Sequence, residues 1–318
     1  MAKKVLVSAT GYSTYCQKAK ALLESNDVEI IENNLGRPFT QDELLAIVPE
    51  IEGVVAGVDT WDETIFAKAA NLKAIARFGV GVDNIDLQSA KAHGVVVSNA
   101  KGMNSSPVAE LAVGLMLTCL RNIPNLNRTT REGKWERFMG RDLAGQTVGL
   151  LGFGDIAQKV AKKLGGFGVS LIAYDLYPNQ TAADELGVTM VPMQQVLQQA
   201  DIISMHLPSL PETKHSMNDE AFAQMKAGAI FINTARGALV DETALYRALT
   251  GGKLSVAASD VFEEEPANTA SPLFALDNFI ATPHTAAETY ATYENVGLLT
   301  TQALLDVFNG KTPVNKLV

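Results

Sequence analysis

The sequence predicts an α/β protein of two domains, each a doubly wound parallel sheet. Three observations predict it. Short apolar runs alternate with helical stretches along the chain, the pattern of βαβ units covered on both faces. Residues 146–175, QTVGLLGFGDIAQKVAKKLGGFGVSLIAYD, hold an apolar run, a glycine-rich turn, a helical pattern and a second apolar run ending in an acid. The chain has 318 residues, enough for two cores.

The elements follow in order. Strands are predicted at Val5–Val7, Val28–Ile31, Val54–Ala56, Ala74–Arg77 and Val95–Ser98, with helices at Tyr15–Leu23 and Gln41–Val48 among them. Gly94 is a helix stop, and His93 before it suits a helix C-terminus. These form a first unit of about 100 residues. Residues 105–122 read as a helix, with Ser106 as N-cap, Pro107 in the first position and Glu110 in the first turn. Apolar nearly all round, it is expected to be buried, between domains or subunits. Residues 123–145 read as a helix and an extended arm carrying Trp135. After the glycine-rich turn, strands are expected at 188–191, 202–206, 229–233, 255–260 and 279–281, and a closing helix at 288–309, stopped by Gly310.

Composition narrows the function. The net charge is −9, which argues against a general polyanion-binding surface, so no nucleic-acid partner is expected. The cysteines, Cys16 and Cys119, make no disulfide framework, which fits a reducing cytosol. Residues 1–10 lack the apolar stretch of a signal peptide, and the apolar run near 107–120 is too short to span a bilayer. A cytoplasmic protein without a membrane partner is expected. No His, Cys and Asp cluster has metal-ligand spacing, so no metal is expected.

The turn at 152–157 carries the first chemistry. Gly152 permits the sharp exit from the strand, Gly154 lets a pyrophosphate approach the backbone, and Ala157 allows close helix packing. Phosphates then sit at the helix N-terminus. Asp175, ending the next strand, can accept hydrogen bonds from ribose hydroxyls. It would repel a 2′-phosphate by up to about 4 kcal/mol at 4 Å and an effective dielectric of 20. No arginine follows in Leu176-Tyr177-Pro178, so NAD is the expected cofactor.

Three later strands end in polar groups, where open α/β sheets carry their sites. One ends in Asn233-Thr234-Ala235-Arg236-Gly237, one in Asp260 through Glu265-Pro266, and one in Thr282-Pro283-His284. A guanidinium can fork onto a carboxylate. An imidazole can exchange a proton near neutral pH. A carboxylate beside it favours its protonated form.

With these motifs in order, the chain resembles the NAD-dependent D-2-hydroxyacid dehydrogenases. NTARG, DVFEEEP and TPH match three family signatures downstream of GFGDIA. RFGVGVDNID at 77–86, VAE at 108–110 and GKWERFMGRDL at 133–143 also fit. The last of these and Arg77 are most similar to phosphoglycerate dehydrogenases. The resemblance implies a Rossmann NAD-binding domain, 102–286, inserted in a flavodoxin-like substrate-binding domain, 1–101 plus 287–318, with the active site in the cleft. It implies Arg236, Glu265 and His284 as the catalytic set, with His284 the acid/base and Arg236 holding the substrate carboxylate and carbonyl. It implies substrate contacts from Val80, Gly81 and Asn104. Cofactor contacts are implied at Gly152, Gly154, Asp155, Ile156, Asp175, Pro208, Thr234, Ala235, Asp260, Thr285 and Ala286. A homodimer built around the helix at 107–121 is implied as well.

Departures from the family pattern accompany these matches. Thr285-Ala286 stand where glycines are common, and Ala157 replaces a third glycine. Residues 56–63 carry Asp59, Asp62 and Glu63 where phosphoglycerate dehydrogenases tend to be basic, which argues against a phosphorylated substrate. With Val318 as the last residue of the sequence, the regulatory domains of longer relatives are not expected. Read alone, Glu263 and Glu264 belong to a solvated turn and His215 to a loop, while His206 is read as core or as support for the site, at a position that the resemblance sets beside the cofactor. The reaction expected is hydride transfer between NAD and a small D-2-hydroxy acid or its 2-oxo partner, phosphoglycerate dehydrogenase-like. A hydroxypyruvate or glyoxylate reductase is the close alternative, and an NAD-sensing corepressor-like binding protein is the alternative from another class.

Overall fold

The computed structural model describes residues 2–318. The chain divides into two compact units, Met1–Asn104 with Glu288–Val318, and Ser105–Ala287.

The first unit carries β1 (Lys3–Val7), β2 (Val28–Glu32), β3 (Gly53–Ala56), β4 (Ala74–Arg77) and β5 (Val96–Ser98), hydrogen-bonded in the order β2-β1-β3-β4-β5 with every pair parallel. This is the flavodoxin-like order expected. Alternate residues feed two cores. Leu6, Val54 and Ile75 pack with Trp61 and Phe66 on one face. Val5, Val55 and Ala76 pack with Tyr12, Cys16 and Leu304 on the other. The last-named residue lies in the helix Tyr290–Phe308, so the end of the chain completes the unit that its beginning started. The predicted helix at 15–23 is two helices, Tyr12–Tyr15 and Gln17–Glu24. Left-handed Gly11, φ 76, precedes the first, and Cys16 between them has non-helical dihedrals.

The second unit carries β6 (Thr147–Leu151), β7 (Ser170–Tyr174), β8 (Val188–Met190), β9 (Ile202–Met205), β10 (Ala229–Asn233), β11 (Leu254–Ser259) and β12 (Phe279–Ala281). Their order is β8-β7-β6-β9-β10-β11-β12, again all parallel, with the reversal between β6 and β9. This is the doubly wound dinucleotide-binding order. Ile230 and Ile232 face one core and Phe231 the other.

The helix spans Ser105–Arg121, so Ser106 lies within it and is not its cap. Ser106 Oγ instead donates to Glu110 Oε1 at 3.2 Å. Pro107 is accommodated because the first helical N–H groups have no partner within the helix anyway. Ala112, Leu115 and Met116 bury against the second unit's own sheet and the Asp155–Leu164 helix, so burial within that unit already explains the apolar sequence. The helix Ile123–Arg131 follows, and then an arm in which Trp135 and Met139 are exposed. Among the described residues, no helix is long and apolar enough to cross a membrane.

Candidate functional site

Strand register assembles the polar groups of the second unit. Asn233 pairs with Ser259, and Ser259 with Ala281, so β10, β11 and β12 end level. Thr234, Asp260 and Thr282 follow immediately, and the three loops begin side by side.

Asp260 is fully buried and organises these loops. Its Oδ1 accepts from Thr282 Oγ1 at 2.5 Å and from Thr285 N at 3.0 Å, and its Oδ2 accepts from Ala286 N at 2.9 Å. The His284 N–H donates to the Asp260 carbonyl at 2.7 Å. These bonds hold His284 in a left-handed backbone, φ 50, which a β-carbon-bearing residue adopts only when its surroundings fix it. Asp260, Thr285 and Ala286, read from the sequence as cofactor contacts, are thus first of all the frame of the His284 loop. A carboxylate has about four acceptor positions, so Asp260 retains capacity for a further donor.

His284 Nδ1 meets Glu265 Oε2 at 2.6 Å, and Glu265 Oε1 accepts from Phe262 N at 3.0 Å. The hydrogen bond to Glu265 raises the His284 pKa against the opposing effect of burial, with the charges of Glu265 and Asp260 assisting and Arg236 opposing. Burial pushes the Glu265 carboxyl up, but the bonds from His284 and the Phe262 N–H outweigh it, so its pKa lies below the usual value. Both shifts favour imidazolium beside carboxylate. With its Nδ1 engaged, the His284 side chain is still 52% exposed, so the ring can be reached.

Arg236 ends the β10 turn. The buried Asn233 shapes this turn: its Oδ1 accepts from Ala235 N at 3.0 Å and its Nδ2 donates to Arg236 O at 3.0 Å. Arg236 Nη1 donates to Ala235 O at 2.7 Å. Gly237 is required by close approach. A Cβ there would stand 1.9 Å from the Phe262 carbonyl carbon, so the loop carrying Glu265 rests directly on the turn carrying Arg236.

At the other side of the switch point, Gly152 has φ 97, and a Cβ on it would lie 2.6 Å from the His206 carbonyl oxygen. Gly154 differs. Its φ of −75 is ordinary, nothing stands within 4 Å of an added Cβ, and no side chain caps the helix that starts at Asp155. The protein itself makes no demand for glycine there. A phosphate seated on the helix N-terminus does. Asp155 pairs with Lys159, Ile156 is half-buried against the core, and Ala157 is fully buried. Asp175 Oδ2 accepts from Phe153 N at 2.7 Å and Oδ1 from Tyr177 N at 2.8 Å, which fixes the carboxylate beside the glycine turn. Pro208 lies on the loop that passes this turn. Two buried polar atoms near these strand ends, Thr234 Oγ1 and His206 Nε2, have no hydrogen-bond partner among the described residues. Burial lowers the His206 pKa to about 4, so its ring is neutral. The vacant space at Gly154 and the unsatisfied Thr234 hydroxyl fit a dinucleotide.

Val80, Gly81 and Asn104 belong to the first unit. The carbonyls of Phe78, Gly79 and Val80 are taken by Arg77 Nη1, Ala100 N and Asn99 Nδ2 respectively. The N–H groups of Val80 and Gly81 form no hydrogen bond among the described residues. Asn104 directly precedes the Ser105–Arg121 helix.

Several sequence readings are corrected. Glu263 is not simply solvated: its Oε1 pairs with Nε2 of His215, which is itself left-handed at φ 49. His93 stands at the C-terminus of its helix as expected, and it also pairs with Glu63 at 3.0 Å and stacks on Phe66. Asp59 is 2% exposed and accepts from Phe39 N at 2.6 Å, and Asp62 caps the helix Glu63–Phe66. Neither is the free surface carboxylate that the argument against a phosphate assumed. Asn233, Asn99, Thr282 and Gly237 were not singled out from the sequence, although NTARG and TPH contain three of them.

Comparison with known proteins accords with this geometry. The family profile described as D-isomer specific 2-hydroxyacid dehydrogenase, NAD binding domain, matches residues 113–286. The chain is 41% identical over 283 residues to a D-3-phosphoglycerate dehydrogenase of Archaeoglobus fulgidus, covering 88% of this chain and 54% of that one. It is 41% identical over 287 residues to a hydroxypyruvate reductase of Thermotoga maritima, covering 89% and 92% respectively. It thus spans about half the length of the phosphoglycerate dehydrogenase but nearly all of the reductase. Among solved structures, apo D-lactate dehydrogenase from Escherichia coli superposes with a TM-score of 0.87 at 31% identity, covering 99% of this chain and 100% of that chain. D-lactate dehydrogenase with NAD+ from Lactobacillus jensenii gives 0.82 at 26% identity, covering 99% of each. With its doubly wound sheets, its glycine turn and its strand-end motifs, the chain belongs to the D-isomer specific 2-hydroxyacid dehydrogenase family.

Proposed function

We propose that the chain reduces small 2-oxo acids to D-2-hydroxy acids with NADH, hydroxypyruvate or glyoxylate being the preferred class. The observation that carries this reading is the His284–Glu265 pair at 2.6 Å. Glu265 holds one imidazole nitrogen and favours the charged ring, so the other nitrogen can deliver a proton to the carbonyl oxygen. Arg236 grips the substrate carboxylate and polarises the adjacent carbonyl, aided by the Val80 and Gly81 N–H groups, with Asn104 alongside. Bound NADH supplies the hydride. Gly154 and the N-terminus of the Asp155–Leu164 helix, through Asp155 and Ile156, would hold its pyrophosphate. Asp175 would hold its ribose, with Pro208, Thr234, Ala235, Asp260, Thr285 and Ala286 lining its path. In the reverse direction, neutral His284 takes the proton from the hydroxyl.

Two observations support a non-phosphorylated substrate. The segment 56–63 offers no cation, and the guanidinium of Arg77 is bonded to the Phe78 carbonyl. The phosphoglycerate dehydrogenase reading keeps one argument in its favour, since Asp62 caps a helix and Asp59 is buried with its Oδ1 on the Phe39 N–H, so neither is a free surface carboxylate. A complete acid/base pair argues for catalysis over an NAD-sensing binding protein. The exposed apolar residues of the 134–140 arm, Trp135 and Met139, support a homodimer in which a second copy covers them.

The test is kcat/KM with NADH for hydroxypyruvate, glyoxylate and phosphohydroxypyruvate. A hundredfold preference for the phosphorylated acid, lost in Arg77→Ala or Arg137→Ala, would make phosphoglycerate dehydrogenase the better reading. No turnover with any 2-oxo acid would favour the binding protein.

A further inference from the structure

The run Glu263-Glu264-Glu265 sends two of its acids to two different histidines. Glu265 holds His284, while Glu263 pairs with His215, which stands on the loop after β9. Both histidines are left-handed, φ 50 and 49, so both backbones are fixed by their surroundings.

The peptide between Phe262 and Glu263 is gripped from several sides. Its N–H donates to Glu242 Oε1 at 2.9 Å. Its carbonyl lies where a Cβ on Gly237 would be, 2.0 Å from that position. The Glu263 side chain is held by His215, whose own N–H donates to Ala238 O at 2.9 Å. His215 is therefore tied to the 236–239 turn by its backbone and to the 261–265 loop by its ring. One residue back, the N–H of Phe262 is the donor that fixes Glu265 Oε1 at 3.0 Å. Whatever holds the 262–263 peptide thus also sets where Glu265 presents its second oxygen to His284.

We propose that His215 and Glu263 are positioning residues for the His284–Glu265 pair. They clamp the 261–265 loop to the turn that carries Arg236, so that the two ends of the proton-transfer geometry move as one body. The proposal rests on the reading of His284 as the acid/base. The charged groups involved are Glu265, Asp260 and Arg236 around His284, Glu263 on His215, and Glu242 on the Glu263 amide. A histidine–carboxylate contact with side chains 39% and 37% exposed contributes little to stability. A structural role alone would therefore show as a small change in melting temperature and nothing in turnover.

The experiment compares Glu263→Gln, His215→Ala, His215→Gln, Glu265→Gln and the Glu263→Gln/Glu265→Gln double variant, with NADH and hydroxypyruvate across pH. Glu263→Gln and His215→Ala are expected to lower kcat by about tenfold, since small misplacements of acid/base groups are costly. Both should move the alkaline limb of the reduction profile to lower pH, in the direction of Glu265→Gln. His215→Gln, which keeps a donor for Glu263, should recover part of the loss. In the Glu265→Gln background, Glu263→Gln should add nothing, because its effect acts through Glu265. Unchanged kcat and pH profile in Glu263→Gln, or additive losses in the double variant, would overturn the proposal. His284→Ala separates the two levels. If it keeps near-normal turnover, the acid/base reading itself fails. If it abolishes turnover while Glu263→Gln does not alter it, only the positioning role fails.

Discussion

Gly237→Ala probes the joint between the Arg236 turn and the Glu265 loop. An alanine methyl would stand 1.9 Å from the Phe262 carbonyl carbon, 2.0 Å from its oxygen and 2.4 Å from Glu263 N. All three atoms are backbone, so no rotamer change relieves the contact. To restore an ordinary separation, the 262–263 peptide has to retreat by about 1.5 Å. That displacement carries away the Phe262 N–H that fixes Glu265 and stretches a 2.6 Å contact to His284 beyond hydrogen-bond range. A misplacement of this size is worth about a hundredfold in turnover. The proposed pyrophosphate and ribose contacts, Gly154 and Asp175, follow β6 and β7, and of the other proposed cofactor contacts Thr234, Ala235 and Asp260 lie near the joint. Stopped-flow or steady-state reduction of hydroxypyruvate should therefore show kcat down by about that factor, while NADH titration by fluorescence leaves Kd within about threefold. The melting temperature should fall as well, since overpacking costs about 1–3 kcal/mol. A Gly237→Ala enzyme with normal kcat would refute the reasoning, because it would mean that Glu265 tolerates movement of its loop.

Other expectations follow from the same geometry. Gly154→Ala meets no protein atom within 4 Å, so it should fold normally yet weaken NADH binding by about tenfold or more, measured by calorimetry. Asp175→Ala removes both the repulsion of a 2′-phosphate and the bonds to Phe153 N and Tyr177 N. It should lower kcat/KM with NADH and narrow the NADH-to-NADPH ratio, and an unchanged ratio would remove Asp175 from cofactor choice. The pKa of His284 is raised by Glu265, so 2-oxo acid reduction, which needs the protonated ring, should fall as pH rises through that raised value. Glu265→Gln should shift this fall to lower pH, whereas oxidation of the hydroxy acid, which needs the neutral ring, should extend to more acid conditions. A pH profile identical to that of the unaltered enzyme would count against His284 as the titrating group.

The parts of the fold that were legible in the sequence are those written in local patterns. Val148–Leu151, the glycine turn and Asp175 are consecutive landmarks of one βαβ unit, and each has a physical task that its neighbours corroborate. The histidine and its carboxylate were legible through motif resemblance, because DVFEEEP and TPH travel together. Pairings between loops were not legible. His215 and Glu263 are 48 residues apart, and nothing in either segment's composition says which acid of the run turns toward which histidine. Asp260 shows a second limit. Its position at the end of β11 could be read, but that its carboxylate would accept from Thr282 Oγ1 and the N–H groups of Thr285 and Ala286 depends on the level ends of β11 and β12. Asp59 and Asp62 show a related limit, since the sequence alone does not say that Asp62 caps a helix or that Asp59 is buried against the Phe39 N–H.

The divided first unit has a consequence for biogenesis. The segment Ser105–Ala287 is continuous, so all of its seven strands leave the ribosome before the last 31 residues do. The first unit, by contrast, waits for Tyr290–Phe308 to cover β3 and β4 and for Leu317 N to reach Val97 O. Until then Val5, Val55 and Ala76 lack part of their cover, and parallel sheets of this kind close slowly because their contacts are distant in sequence. The emerging chain thus holds a finished nucleotide-binding body beside an unfinished sheet. In a cell, that interval is where chaperones and proteases have their opportunity, and substitutions along the Tyr290–Phe308 helix should reduce yield through it before they alter catalysis.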